Sequence, residues 1–159
     1  MDFHKVEGNF DFDKKNLNVA LVVSRFNDFV TSKLRDGAID TLQRQGLYEN
    51  QITVFNCPGS YEIPLTAQKV LETGNFDGII ALGAVIQGST PHFDYVCNAV
   101  NKGVSQLNLK YNKPVIFGVI TTNTIEQALE RAGTKMGNKG ADAAMSLLEM
   151  LSLIKSIEK

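Results

Sequence analysis

At 159 residues with 43% hydrophobic content, the chain can bury the core of one domain and needs no second, so residues 1–159 read as a single domain. Its 16 basic and 17 acidic residues leave a net charge of −1, which argues against nucleic acid or an anionic membrane as the main partner. Cys57 and Cys97 are too few for a disulfide framework and lack metal-ligand spacing with each other, so no metal is expected; an N-terminus without a basic region or apolar core, and no run of membrane-spanning length, make a soluble, cytoplasmic protein the expectation.

In chain order, Val6, Phe10 and Phe12 alternate with polar partners and Asp13–Asn16 reads as a turn, which predicts an N-terminal strand or arm within residues 1–12. Such a strand extends its own sheet or covers the edge of a neighbour's. Short apolar runs rich in β-branched residues follow at 18–23, 52–55, 78–82 and 115–120, the pattern of strands covered on both faces. Between them, Val30, Leu34, Ala38 and Leu42 share a helical face closed by Gly46, and Ile63, Ala67, Val70 and Leu71 share another closed by Gly74. Val96, Val100, Gly103 and Leu107 stripe a third helix, Thr124 with Gln127 fits a capping box for a short fourth, and Ala144, Leu148, Leu151 and Ile154 stripe a fifth. Right-handed crossovers turn this βαβαβαβαα order into a parallel sheet with helices on both faces.

Ligands of open parallel sheets bind outside the carboxyl ends of the strands, so the residues that follow each strand are the candidate site. They are Ser24–Asn27, Cys57–Glu62, Gly83–His92 and Thr121–Asn123. The third is the richest. Amides freed by Gly88, a helix start capped by Thr90 and Pro91 at its first position make an anion-binding end, with Ser89 beside it. His92 would stand next to that anion, able to take and return protons near neutral pH. An ordinary capped helix with a partly exposed histidine accounts for the same residues. The other loops add an aromatic face in Phe26, polar groups in Asn27 and Ser60 and a carboxylate in Glu62, a set that suits a planar, polyhydroxylated ligand meeting a phosphorylated one. Singly, Phe26 could be loop packing, Asn27 a helix cap, and Glu62 a favourable charge at a helix N-terminus.

Taken in register, Ser24-Arg25-Phe26-Asn27, Gly59-Ser60-Tyr61-Glu62-Ile63-Pro64, Gly83-Ala84-Val85-Ile86 through Pro91-His92-Phe93-Asp94-Tyr95-Val96, and Glu130-Arg131-Ala132-Gly133-Thr134-Lys135 through Gly137-Asn138-Lys139-Gly140 resemble the signature segments of the lumazine synthase family. The resemblance runs from about residue 3 to about 155. It implies a flavodoxin-like three-layer αβα sandwich, with a four-stranded parallel sheet and an N-terminal strand adding to a neighbouring subunit's sheet. It also implies condensation of 5-amino-6-(D-ribitylamino)uracil with 3,4-dihydroxy-2-butanone 4-phosphate to 6,7-dimethyl-8-ribityllumazine, phosphate and water, with no cofactor.

By the same resemblance, Phe26 stacks on the pyrimidine, while Asn27, Gly59, Ser60, Tyr61 and Glu62 meet its polar rim or the ribityl chain. Val85, Ile86 and Gln87 border the heterocycle. Ser89, Thr90 and Arg131 hold the phosphate, and His92 relays protons. Arg131, Lys139 and Phe117 belong to a pocket shared with an adjacent subunit, which makes the protein a homopentamer, and the short 133–140 connection favours twelve pentamers in an icosahedral shell. Riboflavin synthase is a candidate partner. Gln87 departs from the family's usual Arg or Lys, removing a positive charge that Lys135 and Lys139 could replace. A flavin- or lumazine-binding module without turnover, or a shell protein with a vestigial site, are the rival readings. Periodicity by itself leaves Arg131 as a solvated arginine.

Overall fold

The computed structural model describes residues 2–134 and 137–159. Strands β1 (Val19–Ser24), β2 (Ile52–Cys57), β3 (Gly78–Ile86) and β4 (Val115–Thr122) pair in parallel into one four-stranded sheet of order β2-β1-β3-β4. The inner strands are apolar on both faces because both faces are covered: every residue of β1 is buried, whereas the edge strand β2 is partly open. Helices α1 (Asp28–Arg44) and α5 (Lys139–Ile157) cover one face, and α2 (Ile63–Glu72) and α3 (His92–Tyr111) the other. The short α4 (Ile125–Arg131) follows β4. This is the α/β three-layer architecture that the sequence pattern predicts.

Two apolar cores result. Leu34, Ala38, Leu42, Leu147 and Leu148 pack on Leu21, Ile80 and Leu82 on the first side; Ile63, Ala67 and Val100 pack on Val22, Ile79 and Ala81 on the second. Full burial of each large aliphatic chain contributes about 1.5–3 kcal/mol relative to exposure. Gly46 and Gly74 adopt positive φ (106° and 73°) just past α1 and α2, a conformation that L side chains resist, and so stop both helices. At α4, Thr124 Oγ1 accepts from the Gln127 amide (3.1 Å). Gln127 Oε1 reaches back to the Asn123 amide (2.9 Å), one residue earlier than in a capping box. Among the described residues no helix is long and apolar enough to cross a membrane.

One sequence expectation needs correction. Strands β3 and β4 run further than their apolar runs: Gly83 to Ile86 pairs with Val119 to Thr122, and the Gln87 amide still donates to the Thr122 carbonyl (2.9 Å). Residues expected in loops are therefore strand, because a parallel neighbour supplies backbone partners irrespective of side-chain hydrophobicity. Residues 2–12, in contrast, form no strand in this chain. Within the chain, the Asn9 amide donates to Ser152 Oγ on α5 (3.0 Å) and Phe10 and Phe12 pack on the first core. The buried Lys14 donates to the carbonyls of Phe10 and Phe12 and stands 4.4 Å from the Phe12 ring centre. Gln51 Nε2 holds the following turn through the carbonyls of Lys14 (2.6 Å) and Leu17 (2.8 Å).

Candidate active site

Because β1 lies inside the order β2-β1-β3-β4, the chain passes from β1 to β2 on one side and then crosses back to β3 on the other, and a crevice opens above the carboxyl ends of β1 and β3. A cleft of about 820 Å³ occupies it. Its walls bring together Phe26 and Asn27 after β1, Gly59, Ser60, Tyr61 and Glu62 after β2, Val85 and Ile86 at the end of β3, Gly88 and Thr90 beyond it, and His92 on α3. The volume lies within the range of small-molecule sites.

The loops after β1 and β2 continue the ladder past the strands. The Arg25 amide donates to the Cys57 carbonyl (2.8 Å) and the Phe26 amide to that of Pro58 (3.0 Å), so both loops are held as one rim. With its backbone thus fixed, the Phe26 ring stays 71% exposed and presents an apolar face to the cleft. Asn27 sits in the left-handed region (φ 66°, ψ 43°), which asparagine tolerates better than most residues, and its backbone carbonyl accepts from Val30 and Thr31 to begin α1. Its side chain makes no cap. Instead Nδ2 donates across the crevice to the Ala84 carbonyl on β3 (2.9 Å), which pins the β1 loop over the switch point.

After β2 the backbone turns tightly at Gly59 through Ser60–Glu62 into α2, with the Glu62 amide donating to the Gly59 carbonyl (3.2 Å). Glu62 precedes the first residue of α2, so its carboxylate sits at the positive end of the helix as well as on the cleft wall. Behind it, burial pushes the Cys57 thiol above its ordinary pKa, with Glu62 adding to the rise. Cys97 on α3 is raised too, by burial first and the Asp94 carboxylate second. Neither thiol is poised as a nucleophile.

The start of α3 differs from the sequence expectation. Pro91 is the cap itself (φ −71°, ψ 3°) and not the first helical residue, no side chain caps the helix, and Thr90 lies one residue outside. The proline ring fixes φ but its ψ is not helical, so the first helical residue is His92. That shift leaves the hydroxyls of Ser89 and Thr90 uncommitted to the helix and exposes them together with His92. A Cβ on Gly88 would meet nothing within 4 Å and its φ is not left-handed, so the fold does not require glycine there. The open space belongs to the cleft wall.

Of the other sequence-predicted residues, Gln87, Ser89, Phe117, Arg131 and Lys139 do not line the cleft of this chain. Phe117 stands 41% exposed on the edge strand β4. Arg131 closes α4 with Nη1 donating to the Gln127 carbonyl (3.2 Å), and Lys139 opens α5 beside Asp142 (3.7 Å). Lys135 lies outside the described residues. Asn138 fastens this connection: Oδ1 accepts from the Ala141 amide (3.0 Å) while Nδ2 donates to the carbonyls of Lys33 and Ala132. The cleft also takes in Pro58, Ala84, Phe93, Val96 and Ile125, which the loop inventory did not single out. Ile125, half exposed at the head of α4, carried no readable signal, because single apolar residues at a surface are ordinary.

An apolar aromatic wall, a carboxylate at a helix end and a hydroxyl-lined helix start can hold a flat polar ring at one end and an anion at the other, with an imidazole beside the anion to carry protons. A family model described as 6,7-dimethyl-8-ribityllumazine synthase matches residues 16–155.

Proposed function

The chain belongs to the lumazine synthase family, an enzyme family of riboflavin biosynthesis, and from that premise we propose that it condenses 5-amino-6-(D-ribitylamino)uracil with 3,4-dihydroxy-2-butanone 4-phosphate to 6,7-dimethyl-8-ribityllumazine, phosphate and water. The observation that carries this reading is the single cleft at the β1–β3 switch point, in which Phe26, Asn27, Ser60, Glu62, Thr90 and His92 face one volume.

In this reading Phe26 stacks on the pyrimidine, the rim of Asn27 and Gly59 to Glu62 takes its polar edge and the ribityl hydroxyls, and Val85, Ile86 and Gln87 border the heterocycle. Ser89 and Thr90 receive the phosphate at the start of α3, where the helix dipole favours an anion. The amine attacks the ketone to give a carbinolamine, which loses water to an imine. Phosphate then leaves by elimination, and the second amine closes the ring with loss of another water. His92 carries protons between these steps. Holding both reactants in one cleft supplies the entropic share.

Among the described residues no Lys or Arg lines the phosphate end of the cleft, Arg131 and Lys139 included. That supports sites completed by a neighbouring subunit, with Arg131, Lys139 and Phe117 reaching across in a homopentamer, and with twelve pentamers in an icosahedral shell. Residues 2–12 then serve as the strand that adds to a neighbour's sheet. Cytoplasmic residence and riboflavin synthase as partner belong to the same reading.

Mixing the purified protein with the two substrates should yield a fluorescent lumazine and inorganic phosphate together. Tight lumazine or flavin binding without phosphate release would instead make the chain a binding module. Sedimentation should give a particle far larger than a pentamer; a pentamer alone defeats the shell.

A further inference from the structure

We propose that Ser24, which does not touch the cleft, acts through Ser60 as a positioning residue for the pyrimidine. It fixes the direction of the Ser60 hydroxyl so that its proton points into the cleft. The proposal rests on the functional reading above and deepens it.

Ser24 is the last residue of β1 and is 0% exposed, while Ser60 is 8% exposed and lines the cleft. Their hydroxyl oxygens lie 3.5 Å apart, a long contact, and it is the one side-chain hydrogen bond of Ser24 among the described residues. Geometry alone leaves donor and acceptor open. The difference in environment decides it. A wholly buried hydroxyl must place its proton on an acceptor, because an orphaned buried donor costs about 1–3 kcal/mol. Ser24 has only Ser60 Oγ for this purpose. Ser60, at the cleft wall, can offer its own proton to water or ligand without cost. Ser24 therefore donates, Ser60 accepts, and the Ser60 O–H is turned outward.

Rigid surroundings hold the pair in this state. Ser24 is paired in register with Cys57, and the ladder past it fixes the Ser60 turn relative to β1. Beneath the pair lies Gly83 of β3, where an added Cβ would come within 2.6 Å of Ser60 Oγ and 3.0 Å of Ser24 Oγ. Glycine at 83 is thus what makes room for both hydroxyls. A fixed outward donor recognises an acceptor on the ligand, and a pyrimidine dione offers carbonyl oxygens. The donor from Ser24 also polarises Ser60, which strengthens the outward bond.

The test measures both substrates' KM, kcat and thermal stability for Ser24→Ala, Ser60→Ala and the double variant, with equilibrium binding of the ribitylaminopyrimidine as a turnover-independent readout. Ser24→Ala should raise pyrimidine KM and Kd by about three- to tenfold. It should leave KM for the phosphorylated ketone unchanged, and the double variant should match Ser60→Ala. Full additivity in the cycle, or a pyrimidine Kd for Ser24→Ala equal to wild type, overturns the proposal. So does a loss confined to thermal stability, or Ser24→Ala failing to fold while Ser60→Ala binds the pyrimidine normally. A wild-type protein that forms no lumazine overturns the functional reading itself and is distinguished by that control.

Discussion

The two ends of the cleft are built on different principles. The ring end, after β1 and β2, is held within one chain: backbone bonds tie Arg25 to Cys57 and Phe26 to Pro58, and the Asn27 side chain ties the loop to Ala84. The phosphate end, at the start of α3, has uncapped amides and exposed hydroxyls, and its candidate cations hydrogen-bond or pair within their own helices. Neutral recognition can be assembled from backbone pairing, which a strand register supplies without further partners. Charge neutralisation needs a cation brought to the anion, which the proposed reading takes from a neighbouring subunit.

His92→Ala should sharpen the contrast most, lowering kcat by about 10²- to 10⁴-fold. Pyrimidine binding and melting temperature should stay at wild-type values, since the imidazole is exposed; unchanged single-turnover rates would remove His92 from the reaction. Arg131→Ala should raise KM for the phosphorylated ketone by about ten- to a hundredfold with little change for the pyrimidine. Mixing the His92→Ala and Arg131→Ala proteins after dissociation and reassembly should restore up to about a quarter of wild-type activity if each site takes one residue from each of two subunits. No recovery would mean that both ends are completed within one chain.

Changes at the ring end are expected to be smaller. Asn27→Ala loses the bond to Ala84 and forces alanine to φ 66°, a destabilisation of about 2 kcal/mol read by denaturant melts. Asn27→Gly relieves the backbone but not the bond, so a variant as stable as wild type would deny the side chain its role. Phe26→Ala should weaken pyrimidine binding by about three- to tenfold while leaving stability unaltered, because the exposed ring contributes little to the core.

Much of this was legible in the sequence. The strands and their order along the chain follow from Val19–Val23, Ile52–Phe55, Ile79–Leu82 and Val115–Ile120, and the helical faces from Leu34, Leu42, Val100 and Leu148, these four buried as the spacing requires. From that order the carboxyl edge, and with it Phe26, Asn27, Ser60, Glu62, Thr90 and His92, could be picked as one neighbourhood. Arg131 could not. A cation closing a surface helix has no periodic signature, and only the resemblance of its surrounding segment raised it.

What the sequence determined by itself was which residues are buried and in what order the elements come, because burial imprints a period on the chain that can be read locally. Tertiary structure decided where the strands end, that Pro91 and not Thr90 caps α3, that Asn9 bonds to Ser152 on α5, and that Asn27 spends its amide on Ala84 instead of on its own helix. It also set Ser24 against Ser60. Each of these depends on a hydrogen-bond partner far away in sequence, and a partner's distance and direction exist only once the sheet register is fixed.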